Sequence, residues 1–192
     1  ARVILLGSDR STTALAILDL STGDLRPVPH APGAVAIGSP KADAASYLDD
    51  GSILTTIEDG TRPPSVVALD PVTGAVVRTL IPAAAGPVSR PWRSIDIPTT
   101  DGAVVQGWLA VPAGYDPFPT ILDLHGGPED QENDRYFPAA QAWLDRGYAV
   151  LTLNYRGSRG FGRDFEQSIW GDPGRRELDD MVAARRLLVD AG

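Results

Sequence analysis

The chain has 192 residues, 43% of them hydrophobic, with 17 basic and 25 acidic side chains and no cysteine. That length makes one large domain or two small ones. The net charge of −8 argues against nucleic acid and against an anionic membrane surface as partners. No apolar run approaches the roughly 20 residues of a membrane span. Without cysteine there are no disulfides, no thiolate nucleophile and no thiolate-held metal. The charge is uneven: residues 1–100 carry 10 acids against 8 bases, and residues 101–192 carry 15 against 9.

Residues 1–80 read as strands and turns. Apolar runs at Val3–Leu6, Ala14–Leu18, Ala34–Ile37, Ile53–Ile57, Val66–Leu69 and Val76–Leu80 are separated by Gly, Pro, Asp and Ser/Thr, the mark of short antiparallel strands. One phrase recurs, Leu18-Asp19-Leu20-Ser21-Thr22-Gly23 and Leu69-Asp70-Pro71-Val72-Thr73-Gly74, with Asp19 and Asp70 51 residues apart. That interval is close to the period of about 40–50 residues of propeller blades. The repeated unit suits a hairpin turn in which Asp bonds its own backbone and Gly takes the left-handed position. A β-sandwich fragment is the competing reading.

Ile81–Pro91 carries three prolines and little periodicity, and reads as a linker. Trp92–Pro98 and Val104–Val111 follow as two strands around Asp101-Gly102, with Trp108 as a core or interdomain anchor. The character then changes. Strand 120–124, a helix around Pro138–Arg146, strand Ala149–Asn154 and a long helix at about 175–191 read as a right-handed crossover on a parallel sheet. The last helix puts Leu178, Met181, Val182, Leu188 and Val189 on one face, with Arg185 interrupting the stripe.

Strand 120–124 is apolar enough to be covered on both faces and stops at His125-Gly126-Gly127-Pro128. In α/β-hydrolases such a turn after the third strand aims backbone N–H groups at the oxyanion of an acyl-transfer intermediate. Pro128 has no N–H, so the donor here is Gly126 or Gly127. A tight strand-to-helix turn without chemistry is the alternative. Glu129, Asp130, Glu132 and Asp134 follow without a Ca²⁺-loop spacing and read as a solvated acidic loop. Arg156 leaves the end of a strand, and if covered it needs a carboxylate from Glu177, Asp179 or Asp180, with Asp180 preferred; Asp123, inside its strand, needs a partner too. These roles are structural. Neither a metal nor a cofactor is called for.

Four motifs together carry a resemblance. They are His125–Pro128, then Arg146-Gly147-Tyr148-Ala149-Val150-Leu151, then Asn154–Gly162, and then Gly171-Asp172 with Glu177–Asp180. In this order and spacing, residues 92–192 resemble the prolyl oligopeptidase family, above all its acylaminoacyl-peptidase and dipeptidyl-peptidase branches. The resemblance implies the C-terminal part of a β-propeller (1–81), a linker (82–91), and the N-terminal half of an α/β-hydrolase domain (92–192). It assigns Gly126 and Gly127 to the oxyanion hole and His125 to the same turn.

The family's Ser–Asp–His triad has no counterpart in this sequence. There is no G-x-S-x-G elbow, Gly157-Ser158-Arg159-Gly160 has the wrong spacing, and His30 and His125 are the only histidines. His30 lies next to prolines and reads as a surface loop residue. The chain, whose two ends read as cut, is thus expected to be inactive alone. The leading function is a serine peptidase acting on short peptides near the N-terminus through an acyl-enzyme. An esterase on the same fold and a non-catalytic binding module are the alternatives. A homo-oligomer is possible, and a cytoplasmic location is favoured by the lack of cysteine.

Overall fold

The computed structural model describes residues 1–35, 45–114 and 117–191. Two compact units emerge. One spans Ala1–Val88 together with Asn133–Tyr136, and the other spans Ser89–Glu132 and Phe137–Gly192.

The first unit is built of β-hairpins. Strands β1 (Arg2–Asp9) and β2 (Thr12–Asp19) pair antiparallel with Arg2 opposite Asp19, and β3 (Leu25–Val28) adds to β2. Pro27 sits on β3, an outer strand of this sheet, where a missing N–H costs little. A second sheet runs β4 (Ala34–Val35), β6 (Ile53–Asp59), β7 (Arg62–Leu69), β8 (Val76–Ile81), with β5 (Ala45–Tyr47) also on β6. Alternation along β2 turns Thr13, Leu15 and Ile17 inward. Leu15 and Ile17 pack with Val28, Val35, Ile53, Val67 and Leu69 into one core, each fully buried aliphatic side chain contributing about 1.5–3 kcal/mol. The short strands β3 and β5 carry too little apolar pattern to stand out in the sequence. Of the run Ala34–Ile37, residues 36 and 37 lie outside the described residues.

The repeated turns have the expected chemistry. Asp19 Oδ1 accepts from the N–H and hydroxyl of Ser21, and Asp70 Oδ1 accepts from the N–H groups of Val72 and Thr73 and the Thr73 hydroxyl. In both turns the glycine N–H returns to the aspartate carbonyl, with φ of 79° at Gly23 and 69° at Gly74. L side chains rarely take such values.

The second unit is a four-stranded sheet with helices on both faces. Its order is β11 (Thr120–Leu124), β12 (Ala149–Asn154), β10 (Val104–Ala110), β9 (Arg93–Pro98). β11 and β12 are parallel, joined through α1 (Pro138–Leu144); the other pairs are antiparallel. Pro138 opens α1, where its missing N–H and fixed φ are harmless. Ala140 and Leu144 pack on Val150 and Ala110. On the other face, α3 (Arg176–Ala191) sets Ala183 and Ala184 on Leu151, Leu153, Ile97 and Val105. The five-residue α2 (Arg163–Gln167) lies between β12 and α3; one turn is too short to show a helical period.

Three sequence expectations need correction. β11 is half-buried rather than covered, because it ends the described sheet and has one neighbouring strand. On α3 the packed face is Asp180, Ala183, Ala184 and Leu187 with Met181 and Leu188 of the expected stripe, whereas Leu178, Val182 and Val189 are exposed. Small alanines at its centre let the helix approach the sheet closely, so the buried stripe is centred on Ala183 and Ala184, with Met181, Leu187 and Leu188 at its flanks. Arg185 is exposed and needs no special accommodation. His30 is half-buried, its ring nitrogens 2.8 Å from the Ala31 carbonyl and 3.0 Å from that of Thr13.

Candidate active site

The glycine turn lies at the C-terminal end of β11 and opens a loop, 125–132, that β12 and the residues after it hold from outside. Asn154 fixes the far end: its Oδ1 accepts the Glu132 N–H at 2.7 Å, and its Nδ2 donates to the Glu132 carbonyl at 2.9 Å. Tyr155 fixes the near end. Its hydroxyl donates to the His125 carbonyl at 2.8 Å, and its ring stacks on the imidazole at 4.6 Å between centroids. Burial, with the charges of Glu177 and Asp130, pushes the Tyr155 phenol upward, so it stays a donor. Arg159 N–H donates to the Asp130 carbonyl at 3.0 Å. At Gly157, φ is 103°, and an added Cβ would stand 3.1 Å from Pro128 Cβ and 2.5 Å from Ile169 Cδ1. Only glycine lets this segment lie against the loop.

Ser158 looks at first like a nucleophile, because His125 Nε2 is 2.9 Å from its Oγ. The geometry argues otherwise. Ser158 is fully buried, its hydroxyl donates to the Tyr155 carbonyl at 2.6 Å, and His125 Nδ1 faces the Gly126 carbonyl at 2.8 Å instead of an orienting acid. The pair is a brace for the imidazole.

Arg156 anchors the holding segment. Its Nη2 lies 2.7 Å from Asp180 Oδ1, its Nε donates to the same carboxylate at 2.9 Å, and its backbone N–H reaches Asp180 Oδ2 at 2.8 Å. Nη1 meets Asp101 at 2.5 Å. Burial opposes the guanidinium charge, but Asp180 and Asp101 outweigh it and hold its pKa above the ordinary value. The Asp101 carboxyl is held well below the usual range by the Thr99 hydroxyl and then by Arg156. Burial pushes Asp180 the other way, and Arg156 opposes that.

The structure thus brings Arg156 to Asp180 and His125 to the residues after β12. It does not bring Glu177 to Arg156; Glu177 instead accepts from Gly174 N–H at the start of α3. Asp123 is half-buried and makes no side-chain hydrogen bond among the described residues; on an outer strand it needs none. The acidic loop is not uniformly solvated either. Glu132 is buried, and Asp134 accepts from Gly60 N–H within the first unit. Gly126 and Gly127 are both exposed, and neither N–H has a partner among the described residues. No group of three or more His, Asp or Glu suited to a metal occurs among the described residues.

Asn154, Gln106, Tyr155 and Ser158 were not singled out by sequence for these tasks. The available signal was a carboxamide inside each of two apolar strands, Gln106 in β10 and Asn154 in β12, opposite each other in register.

The parallel β–α–β unit thus carries a glycine turn with unengaged amides at the end of its first strand. Residues 135–192 match the model of the prolyl oligopeptidase family. The chain is 41% identical over 93 residues to an uncharacterized peptidase of Bacillus subtilis, YuxL, covering 47% of this chain and 14% of that one. It is 33% identical over 107 residues to dipeptidyl aminopeptidase BIII of Pseudoxanthomonas mexicana, covering 51% and 16%. In fold, it superposes on a puromycin-hydrolyzing peptidase of Mycobacterium tuberculosis with TM-score 0.81 at 24% identity, covering 100% of this chain and 29% of that one. The acylaminoacyl peptidase of Pyrococcus horikoshii gives 0.79 at 18%, covering 99% and 29%. The match to the family covers residues 135–192 of this chain, and the chain spans less than a third of the length of these relatives.

Proposed function

We propose that the protein is a serine peptidase that hydrolyses short peptides near the N-terminus through an acyl-enzyme, and that this chain supplies its oxyanion turn. In this reading residues 1–81 are propeller blades, 82–91 a linker, and 92–192 the first half of an α/β-hydrolase domain. One observation carries it: the amides of Gly126 and Gly127 stand exposed and unengaged in a turn held by neighbours on both sides. Preorganised donors of this kind stabilise a developing oxyanion without reorganising when the reaction occurs, and losing one costs about 10²–10³ in kcat. The nucleophile, base and orienting acid come from outside these 192 residues, since Ser158 is buried and His125 is committed to the turn.

The test uses the full-length protein with alanine 4-nitroanilide and N-acetylalanine 4-nitroanilide. Hydrolysis blocked by a fluorophosphonate, with the label on a serine outside residues 1–192, is the expected result. The 192-residue chain alone is expected to hydrolyse neither and to take no label. A full-length protein that resists labelling and hydrolysis overturns the reading.

A further inference from the structure

Glu132 is held in a way that differs from the rest of the loop. A single carboxamide, Asn154, satisfies both its N–H and its carbonyl, as a neighbouring strand would. Asn154 is fully buried and its Nδ2 also donates to Gln106 Oε1 at 2.6 Å. Gln106, buried as well, spends its own Nε2 on Ser94 Oγ at 3.0 Å and the Gly107 carbonyl at 2.9 Å. Trp108 Nε1 adds a second donor to the Glu132 carbonyl at 3.2 Å. The network thus fixes the orientation of both amides: Asn154 Oδ1 accepts and its Nδ2 donates twice, so neither can flip without losing bonds.

We propose that Asn154, oriented by Gln106 and assisted by Trp108, is a positioning residue for the oxyanion donors at Gly126 and Gly127. The proposal rests on the peptidase reading above. Its physical basis is the length of the loop. Four residues separate Gly127 from the clamped Glu132, the near end is already pinned through His125, and Asp130 is held between them. With both ends fixed the turn has one shape. Releasing Glu132 lets the far end drift, and a displacement of about 1 Å at a reacting centre costs about a hundredfold in rate. Because the amides meet the substrate oxygen mainly as it becomes an oxyanion, the loss falls on kcat.

The experiment compares full-length wild type with Asn154→Asp, which keeps the acceptor for Glu132 N–H but loses both donated bonds, and with Trp108→Phe, which removes one N–H. On the better of the two nitroanilides, kcat is expected to fall about a hundredfold in Asn154→Asp and about five- to tenfold in Trp108→Phe. KM stays within about threefold in both. Affinity for N-acetylalaninal, which adds to the serine and places an oxygen in the oxyanion position, falls in step with kcat; affinity for N-acetylalaninol does not. Wild-type kcat in a folded Asn154→Asp, or a parallel loss for aldehyde and alcohol, overturns the proposal. Where Asn154→Asp does not fold, Trp108→Phe decides by the same two criteria. A wild type that takes no fluorophosphonate overturns the peptidase reading and the proposal together, whereas a labelled wild type with unaffected variants overturns the proposal alone.

Discussion

The turns at 19–24 and 70–75 and the loop at 125–132 solve one problem in opposite ways. Each must hold a stretch of chain outside the strands and helices. In the first unit the turn holds itself: the aspartate accepts from the residue two positions on, and at Asp70 also from the one three on, and a glycine closes the ring. In the second unit the loop contributes little to its own order. Asn154, Tyr155, Gly157, Ser158 and Arg159, consecutive but for one residue, brace it from outside, and that residue, Arg156, ties the brace to Asp180 on α3. A self-closing turn leaves its amides occupied. The externally held loop leaves the amides of Gly126 and Gly127 unengaged.

The sharpest way to break the brace is Arg156→Ala. It strands the fully buried Asp180 carboxylate and is expected to cost about 3–5 kcal/mol. All four tryptophans, Trp92, Trp108, Trp143 and Trp170, lie in the second unit, so urea unfolding followed by their emission reads this loss. Arg2→Ala, which removes a pair with an exposed guanidinium in the first unit, is the contrasting case and should leave that emission midpoint unchanged.

Gly157→Ala comes next, at about 2 kcal/mol by the same readout, because it combines a left-handed φ with a Cβ crowded by Pro128. An unchanged unfolding midpoint would show that the brace yields where the geometry says it does not. Ser158→Ala is expected to cost about 1 kcal/mol, the worth of a buried hydroxyl's bonds. It should leave fluorophosphonate labelling of the full-length protein intact, since Ser158 is a brace; loss of the label would make it the nucleophile.

The smallest effect belongs to the self-closing turns. The Ser21 hydroxyl and then its N–H hold the Asp19 carboxyl at about 2, below its unfolded value. Its contribution is therefore present above the ordinary carboxylate range and is lost as pH falls through about 2. A carbon-detected NMR titration of the Asp19 carboxyl checks the midpoint, and Ser21→Ala should move it upward.

The same contrast explains what the sequence discloses. The Asp-x-x-Thr-Gly turns were legible because the bonds that close them run between residues at most five positions apart. β11, β12, α1 and α3 were legible from apolar runs and periodicity, and the glycine turn from the way an apolar strand stops at His125-Gly126-Gly127-Pro128. The brace was not, because its partners are 22 to 33 residues apart and meet only after β11 and β12 have paired. The inner face of α3 was only partly legible, through Met181 and Leu188, for a related reason. Hydrophobicity ranks Leu178 and Val189 above Ala183 and Ala184, but close approach to a sheet favours the smaller side chains.

The chain passes between its two units three times, at Val88–Ser89, Glu132–Asn133 and Tyr136–Phe137. Within the first unit, Asp134 accepts from Gly60 N–H, Glu58 accepts from Tyr136 N–H, and the Tyr136 hydroxyl donates to Pro87. Modular exchange between relatives is constrained accordingly. A recombination that replaces residues 1–88 with a relative's leaves four residues of the first unit behind in the recipient. The incoming segment must then offer an acceptor for Tyr136 and a donor for Asp134, or residues 133–136 must be exchanged with it.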